Sequence, residues 1–290
     1  MKTPTVLVQA AVLSLLTTTS LQAHAWTRNL TFEEGTVGAK AQSSSGQDFD
    51  DACGGCYITD EQVLSGNKAA KLTVTGGATA FGEWGGIVNH PEDLRKGDEI
   101  WFSVNTYFPP GFNYDSTGQG GHLKFLRVLA LKSSGANSGF NDWYMNPEAS
   151  AVPHKFIYEG QQEWFEFGDP SDEVQRGKWE HYEMYIKFDN VPVDQGGTAM
   201  VRVWKNGRLL REITGSRTLN EATNYSPRSH LFTYWNGGAP KTQHMYVDNI
   251  VVTSDTPSNR DQYGNPMVGA AGSGGGAGDS RPEAPQLNVE

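Results

Sequence analysis

The sequence predicts an all-β fold, a sandwich or jelly roll of two antiparallel sheets. In Trp179–Phe188 the residues Tyr182, Met184, Ile186 and Phe188 share one apolar face, while Trp179, His181, Glu183, Tyr185 and Lys187 share the other. That period of two marks a strand buried on one side. Ala199, Val201 and Val203 repeat the alternation with Met200, Arg202 and Trp204 opposite, and Asn206-Gly207 supplies a type I′ hairpin turn. Beyond this pair, strand-like runs recur between Gly-, Pro- and Asn-rich joints, and helical periodicity is almost absent.

The chain opens with Lys2, an apolar run over Val6–Leu16, a Thr/Ser patch and Ala23-His24-Ala25. Charged, apolar and small residues in that order read as a secretory signal peptide, residues 1–25, cleaved after Ala25. Cleavage after Ala23 would instead expose His24 as an N-terminal histidine of the copper-brace type. The apolar run is too short to span a bilayer and no later segment is long enough. The mature chain is therefore expected to be secreted or periplasmic, with no membrane partner. About 240 residues remain between leader and tail, the size of one large all-β domain, placed at 26–263 and expected to be a monomer.

Cys53-Gly-Gly-Cys56 holds both cysteines, and in an exported chain a short-loop disulfide is favoured over a redox centre. Two cysteines are too few for a structural zinc site. A net charge of −10 argues against a nucleic-acid partner while leaving room for a local cationic groove.

Strands are expected at Asn29–Glu33, Ala69–Val74, Ile100–Phe108, Leu123–Leu131, Phe156–Glu159, Trp179–Phe188, Ala199–Trp204, Leu231–Trp235 and Met245–Thr253. Gly76-Gly77, Gly85-Gly86, Pro109-Pro110-Gly111 and Gly237-Gly238 separate them, and Pro91–Lys96 reads as a turn. From Gly264 the composition becomes Gly/Ala/Ser/Pro-rich, so 264–290 reads as a flexible tail.

The segments LTFEEGTVG, SGNKAAKLTV, GDEIWFSVNTYFPPGF, GGHLKFLRV, GKWEHYEMYIKFD with VRVWKNGRLL, and MYVDNIVVT follow in an order that resembles the concanavalin A-like jelly-roll polysaccharide lyases, especially the alginate and glucuronan lyases of polysaccharide lyase family 14. The likeness runs over about 30–253. It implies two stacked antiparallel sheets with a polysaccharide, an anionic one, in the concave groove. The family places a lysine after its Gly-Gly turn; here His122 follows Gly120-Gly121, with Lys124 two positions on. Where the family has a Tyr-x-Tyr pair, this chain has Phe156-Ile157-Tyr158. Jelly-roll carbohydrate modules also suggest a structural calcium ion on Glu33, Glu34 and Asp248, although a plain hydrogen-bonding role is an equal alternative for Asp248. No cofactor is expected for catalysis.

β-Elimination on a uronate needs a cation or strong donor for the carboxylate, a base for the C5 proton and an acid for the leaving O4. His122 and Lys124 share a strand face and can reach one sugar, and Tyr158 is the expected acid. Arg127 falls on the opposite face unless a bulge intervenes. Trp143, Tyr144, Trp164 and Tyr234-Trp235 are candidate stacking platforms. His181, Tyr185, Lys187, Arg202 and Trp204 are expected side by side as the substrate face, with Trp204 the best stacking candidate; the alternative is that another layer packs over them. Glu163/Glu166 and Glu180/Glu183 fall on opposite strand faces, a poor match to a retaining glycosidase. The functional alternatives are thus a lyase and a non-catalytic carbohydrate-binding module.

Overall fold

A computed structural model describes residues 25–41, 49, 55–79, 85–115, 122–148 and 150–270. The strands in chain order are β1 (Thr27–Leu30), β2 (Cys56–Thr59), β3 (Ala69–Val74), β4 (Gly86–Leu94), β5 (Glu99–Tyr107), β6 (Leu123–Leu131), β7 (Asn137–Met145) and β8 (His154–Tyr158). They continue as β9 (Trp164–Phe167), β10 (Trp179–Lys187), β11 (Met200–Lys205), β12 (Arg208–Ile213), β13 (Ser226–Trp235), β14 (Gln243–Thr253), β15 (Asn259–Arg260) and β16 (Pro266–Met267). Two 3-10 turns, Pro170–Asp172 and Val193–Gln195, are the helical pieces among the described residues.

One sheet has the order β12-β11-β10-β5-β14-β3-β2 with β1 also on β14; the second runs β4-β13-β6-β7-β8-β9. Neighbours in both sheets pair antiparallel. The two inner faces form one core. Phe102, Tyr182, Met184 and Val203 of the eight-stranded sheet meet Phe125, Trp143, Phe156 and Leu231 of the six-stranded one. Tyr182 sits with its ring 4.9 Å from Phe125 and 5.8 Å from Trp143, both edge-on. The apolar face predicted for 182–188 is therefore the face that joins the sheets.

Asn206 and Gly207 have φ of 50° and 78°, as a type I′ turn requires. The segment around Pro91 is a strand, not a turn: β4 lies at the edge of its sheet, where a residue without an N–H is tolerated. The chain past Gly264 also departs from expectation. Residues 259–267 form a hairpin, β15 on β16, and the chain through Gly269 docks on the outer face of the eight-stranded sheet. Trp101, Tyr185, Trp204 and Met267 make a second, smaller apolar cluster there. Trp204 Nε1 donates to Asp261 Oδ2 at 2.9 Å, Trp101 Nε1 to the Pro266 carbonyl at 3.0 Å, and Glu183 accepts the N–H groups of Val268 and Gly269. The folded domain thus extends past residue 263. Residues 1–24 of the expected 1–25 leader, Cys53 and residues 271–290 of the expected tail lie outside the described residues.

Candidate functional site

The outer face of the six-stranded sheet gathers the chemistry. Tyr234, Lys124, Tyr144, Lys155 and Glu166 are direct register partners on β13, β6, β7, β8 and β9, so their side chains form one row. His230, Arg127, Asp142, Ile157 and Trp164 form the next row. A bulge between Lys124 and Leu126 decides this arrangement. The extra residue lets Phe125 and Leu126 both enter the core while Lys124 and Arg127 share the outer face.

Four charges interlock at the centre. Arg127 donates Nε to Asp142 Oδ1 at 2.6 Å and Nη2 to Oδ2 at 3.2 Å; Lys124 Nζ lies 2.5 Å from Glu159 Oε1 and 3.4 Å from Asp142 Oδ2. Arg127 is 2% and Asp142 0% exposed, so this pair is a floor beneath the surface. Burial works to raise the Asp142 carboxyl, but Arg127 and Lys124 outweigh it and hold the group below its ordinary value. Glu159 moves the other way: burial and the neighbouring Asp142 raise it despite Lys124.

Beside that floor Lys155 stands in an aromatic box. Its Nζ is 2.6 Å from His122 Nε2 and 4.6 Å from the centre of the Trp164 ring. Tyr144 packs edge-on against Trp164 at 5.1 Å and against His122 at 5.9 Å. Burial lowers the Lys155 ammonium below the usual lysine value, with only Glu166 opposing. Burial raises the Tyr144 phenol, and Asp142 and Glu159 push it further. An amine lowered by burial and a phenol raised by burial therefore stand opposite each other across two strands. Trp164 is 45% exposed at the rim, a flat apolar surface beside the polar row.

No protein-family model matches the chain, and no curated protein does. Solved structures do. The alginate lyase Aly36B, as a double mutant in complex with an alginate trisaccharide, is 18% identical, with a TM-score of 0.56 over 78% of this chain and 97% of that one. The endo-β-1,4-glucuronan lyase of Trichoderma reesei is 13% identical, with a TM-score of 0.52 over 84% of this chain and 99% of that one. The PL-14 alginate lyase of Aplysia kurodai is 12% identical, with a TM-score of 0.53 over 78% and 97%. The chain has the jelly-roll fold of the alginate and glucuronan lyases.

On this fold the catalytic and substrate-binding residues predicted from sequence separate into three groups. His122, Lys124, Arg127 and Tyr144 come together on the outer face of the six-stranded sheet. Tyr158 and Trp143 do not join them. Both alternate inward and are fully buried in the intersheet core, where the Tyr158 hydroxyl donates to the Ser138 carbonyl at 3.2 Å. Tyr158 is therefore a core residue with its phenol raised by burial, not a groove acid.

His181, Tyr185, Lys187, Arg202 and Trp204 share a face as predicted, but it belongs to the opposite sheet and is largely packed. Trp204 is 0% exposed beneath the C-terminal hairpin. Tyr185 lies in the same apolar cluster. His181 is buried against Ser103 Oγ at 3.0 Å, and burial lowers it to about 4. Lys187 pairs with Glu99 at 2.7 Å and Arg202 with Glu212 at 2.6 Å. The covering layer is the C-terminal segment, which composition alone read as a tail.

Glu33, Glu34 and Asp248 do not make a calcium cradle. Glu33 takes the N–H groups of Asn67 and Lys68, and its carbonyl takes the Lys68 ammonium at 2.6 Å. Asp248 takes those of Leu64, Ser65 and Asn249, while Glu34 is exposed. N–H donors and an ammonium around these oxygens oppose a cation; the two carboxylates pin the 64–68 loop instead. Cys56 is buried at the start of β2 with its sulfur 2.8 Å from the Gly85 carbonyl, and the expected pairing with Cys53 falls on a residue outside those described.

Lys155, Asp142 and Glu159 were not singled out from sequence. The alternation of His154-Lys-Phe-Ile-Tyr does place Lys155 opposite Phe156 and Tyr158. Nothing local says which of those faces is the core.

Proposed function

We propose that the protein is a polysaccharide lyase that cleaves a uronate-containing, anionic glycan by β-elimination on the outer face of the six-stranded sheet. The carrying observation is the cross-strand pair of Tyr144 and Lys155, with the lysine lowered by burial and His122 at 2.6 Å from the amine. In this reading Lys155 is the base. Desolvation favours its neutral amine, and His122 exchanges the proton that the amine removes from C5. Tyr144 retains its phenol proton at neutral pH and delivers it to the leaving O4.

Lys124, whose Nζ lies 5.3 Å and 5.0 Å from the ring centres of Tyr144 and Tyr234, supplies positive charge beside the uronate carboxylate. The buried Arg127–Asp142 pair positions Lys124 from below. Trp164 stacks on a neighbouring sugar. The alginate and glucuronan lyases that share the fold support this substrate class.

A second reading, a binding module without catalysis, is favoured by one observation: Lys124 and Arg127 are both engaged by carboxylates. One experiment separates the two. The purified protein is incubated with alginate, glucuronan and pectate while the ultraviolet absorbance of the C4–C5 unsaturated product is followed. Product formation that Tyr144→Phe and Lys155→Ala abolish supports the lyase. Retention of a glycan with no unsaturated product supports the module.

A further inference from the structure

The outer face of the eight-stranded sheet is only partly covered by the C-terminal hairpin. At its other end, Trp179, Tyr107, Tyr246, Lys71 and Tyr57 are consecutive register partners on β10, β5, β14, β3 and β2. Four of the five are aromatic, and they span five neighbouring strands. Tyr107 lies 5.7 Å from Trp179 and 6.0 Å from Tyr246, ring centre to ring centre. Trp179 and Tyr107 are half-buried, Tyr246 is buried at 4% exposure under the Lys71 ammonium, and Tyr57 is 39% exposed at the far end, so the reachable rings flank a polar centre. No part of the elimination chemistry uses this row, which lies across the core from Lys155.

Charge within the row is balanced. Lys71 Nζ contacts both oxygens of Glu61, at 2.9 and 2.7 Å, and the Tyr246 hydroxyl donates to Glu61 Oε2 at 2.6 Å. The adjoining His244 is lowered by burial and by Lys71, which favours its neutral form. An anionic chain finds no uncompensated cation in the row, and a basic peptide no uncompensated carboxylate. An uncharged sugar fits both features, with apolar ring faces for Trp179, Tyr107 and Tyr57 and hydroxyls for the Lys71–Glu61 pair between them. The two half-buried rings, Trp179 and Tyr107, are inclined by 53° to one another, so successive accessible faces turn along the row. Turning faces suit one twisted chain and not a flat crystalline surface.

We propose that this row is a second glycan-binding surface, taking a single uncharged polysaccharide chain. The site is independent of the lyase reading of the opposite sheet.

The test is electrophoresis of the full chain in native gels containing mixed-linkage β-glucan, xyloglucan or alginate. Tyr57→Ala and Trp179→Ala are run beside Lys155→Ala, with a thermal melt of each. Retardation by a neutral glycan is expected, weakened about tenfold in apparent affinity by either row variant and unchanged by Lys155→Ala. Tyr57 is exposed, so its variant reports binding even if Trp179→Ala unfolds. Absence of retardation by both neutral glycans overturns the proposal, as does retardation that survives both row variants. Retardation by alginate alone, lost in the row variants, overturns it as well. A wild-type dimer in light scattering that Tyr57→Ala converts to a monomer would give the row to a second copy and also overturn it.

Discussion

Tyr144 and Lys155 face each other across β7 and β8, and burial moves their proton affinities in opposite directions. Substituting Tyr144 by Phe removes the proposed proton donor and keeps the ring that packs on Trp164 and His122. Turnover is expected to fall about 10²- to 10⁴-fold, the range for losing a general acid or base, with a modest fall in melting temperature because the phenol also hydrogen-bonds the buried Asp142. Steady-state kinetics on the best polymer, beside a thermal melt, check this.

A base acts only when deprotonated, so activity should rise with pH through the Lys155 pKa. Because burial lowers that pKa, the rise should occur below the range of an exposed lysine. Lys155→Arg keeps the charge and stays protonated, so it should be inactive at every pH; a pH–rate profile of both proteins decides the point.

Asp142→Asn removes the bidentate carboxylate partner of the Arg127 guanidinium in a site closed to water. A loss of about 3–5 kcal/mol in unfolding free energy is expected from removing one partner of a buried pair. The Asp142 carboxyl is held below its ordinary value, so the folded state binds its proton less readily than the unfolded state. Its stabilisation is present above the unfolded pKa and is lost as pH falls through the folded one. Urea titrations across the acid range should show the wild type and the variant converging.

Trp204→Ala should cost about 3–5 kcal/mol of stability, because a fully buried indole is removed from beneath the hairpin. Glycan binding on the six-stranded sheet should not change. Truncation before Asn259 should expose the same cluster, read as a red shift in tryptophan fluorescence and binding of a hydrophobic dye.

Glu183 holds that hairpin through the N–H groups of Val268 and Gly269. Burial raises its carboxyl from 4.5 to about 7, against the pull of those donors. The folded state thus binds the proton more readily than the unfolded state. The contribution of Glu183 is fullest below 4.5 and declines as pH rises through about 7. Melting temperatures of wild type and Glu183→Gln, compared on both sides of that window, should shift against the wild type at the higher pH.

Alternation by itself determined the strands that build the core. Ala69–Val74 and Leu123–Leu131 have the predicted bounds, and Trp179–Lys187 ends one residue short, because each carries enough apolar side chains on one face to specify burial locally. Two spacings also carried through: the Asn206-Gly207 turn, and the placing of Glu180 and Glu183 on opposite faces of β10. The site was less legible. His122, Lys124 and Tyr144 were named from sequence, but Arg127 joined them only through the Lys124–Leu126 bulge, which depends on pairing with β7.

Lys155 acquired its partners from β7, from β9 and from the chain before β6, and its lowered pKa is a property of that enclosure. Trp204 and Tyr185 went the other way. A face with Trp, Tyr, His and Arg reads the same whether it meets a sugar or a hairpin arriving from 55 or more residues downstream. Periodicity is local and reports that two faces differ. Which face stays open depends on contacts between residues far apart in the chain, and those form only when the sheets close.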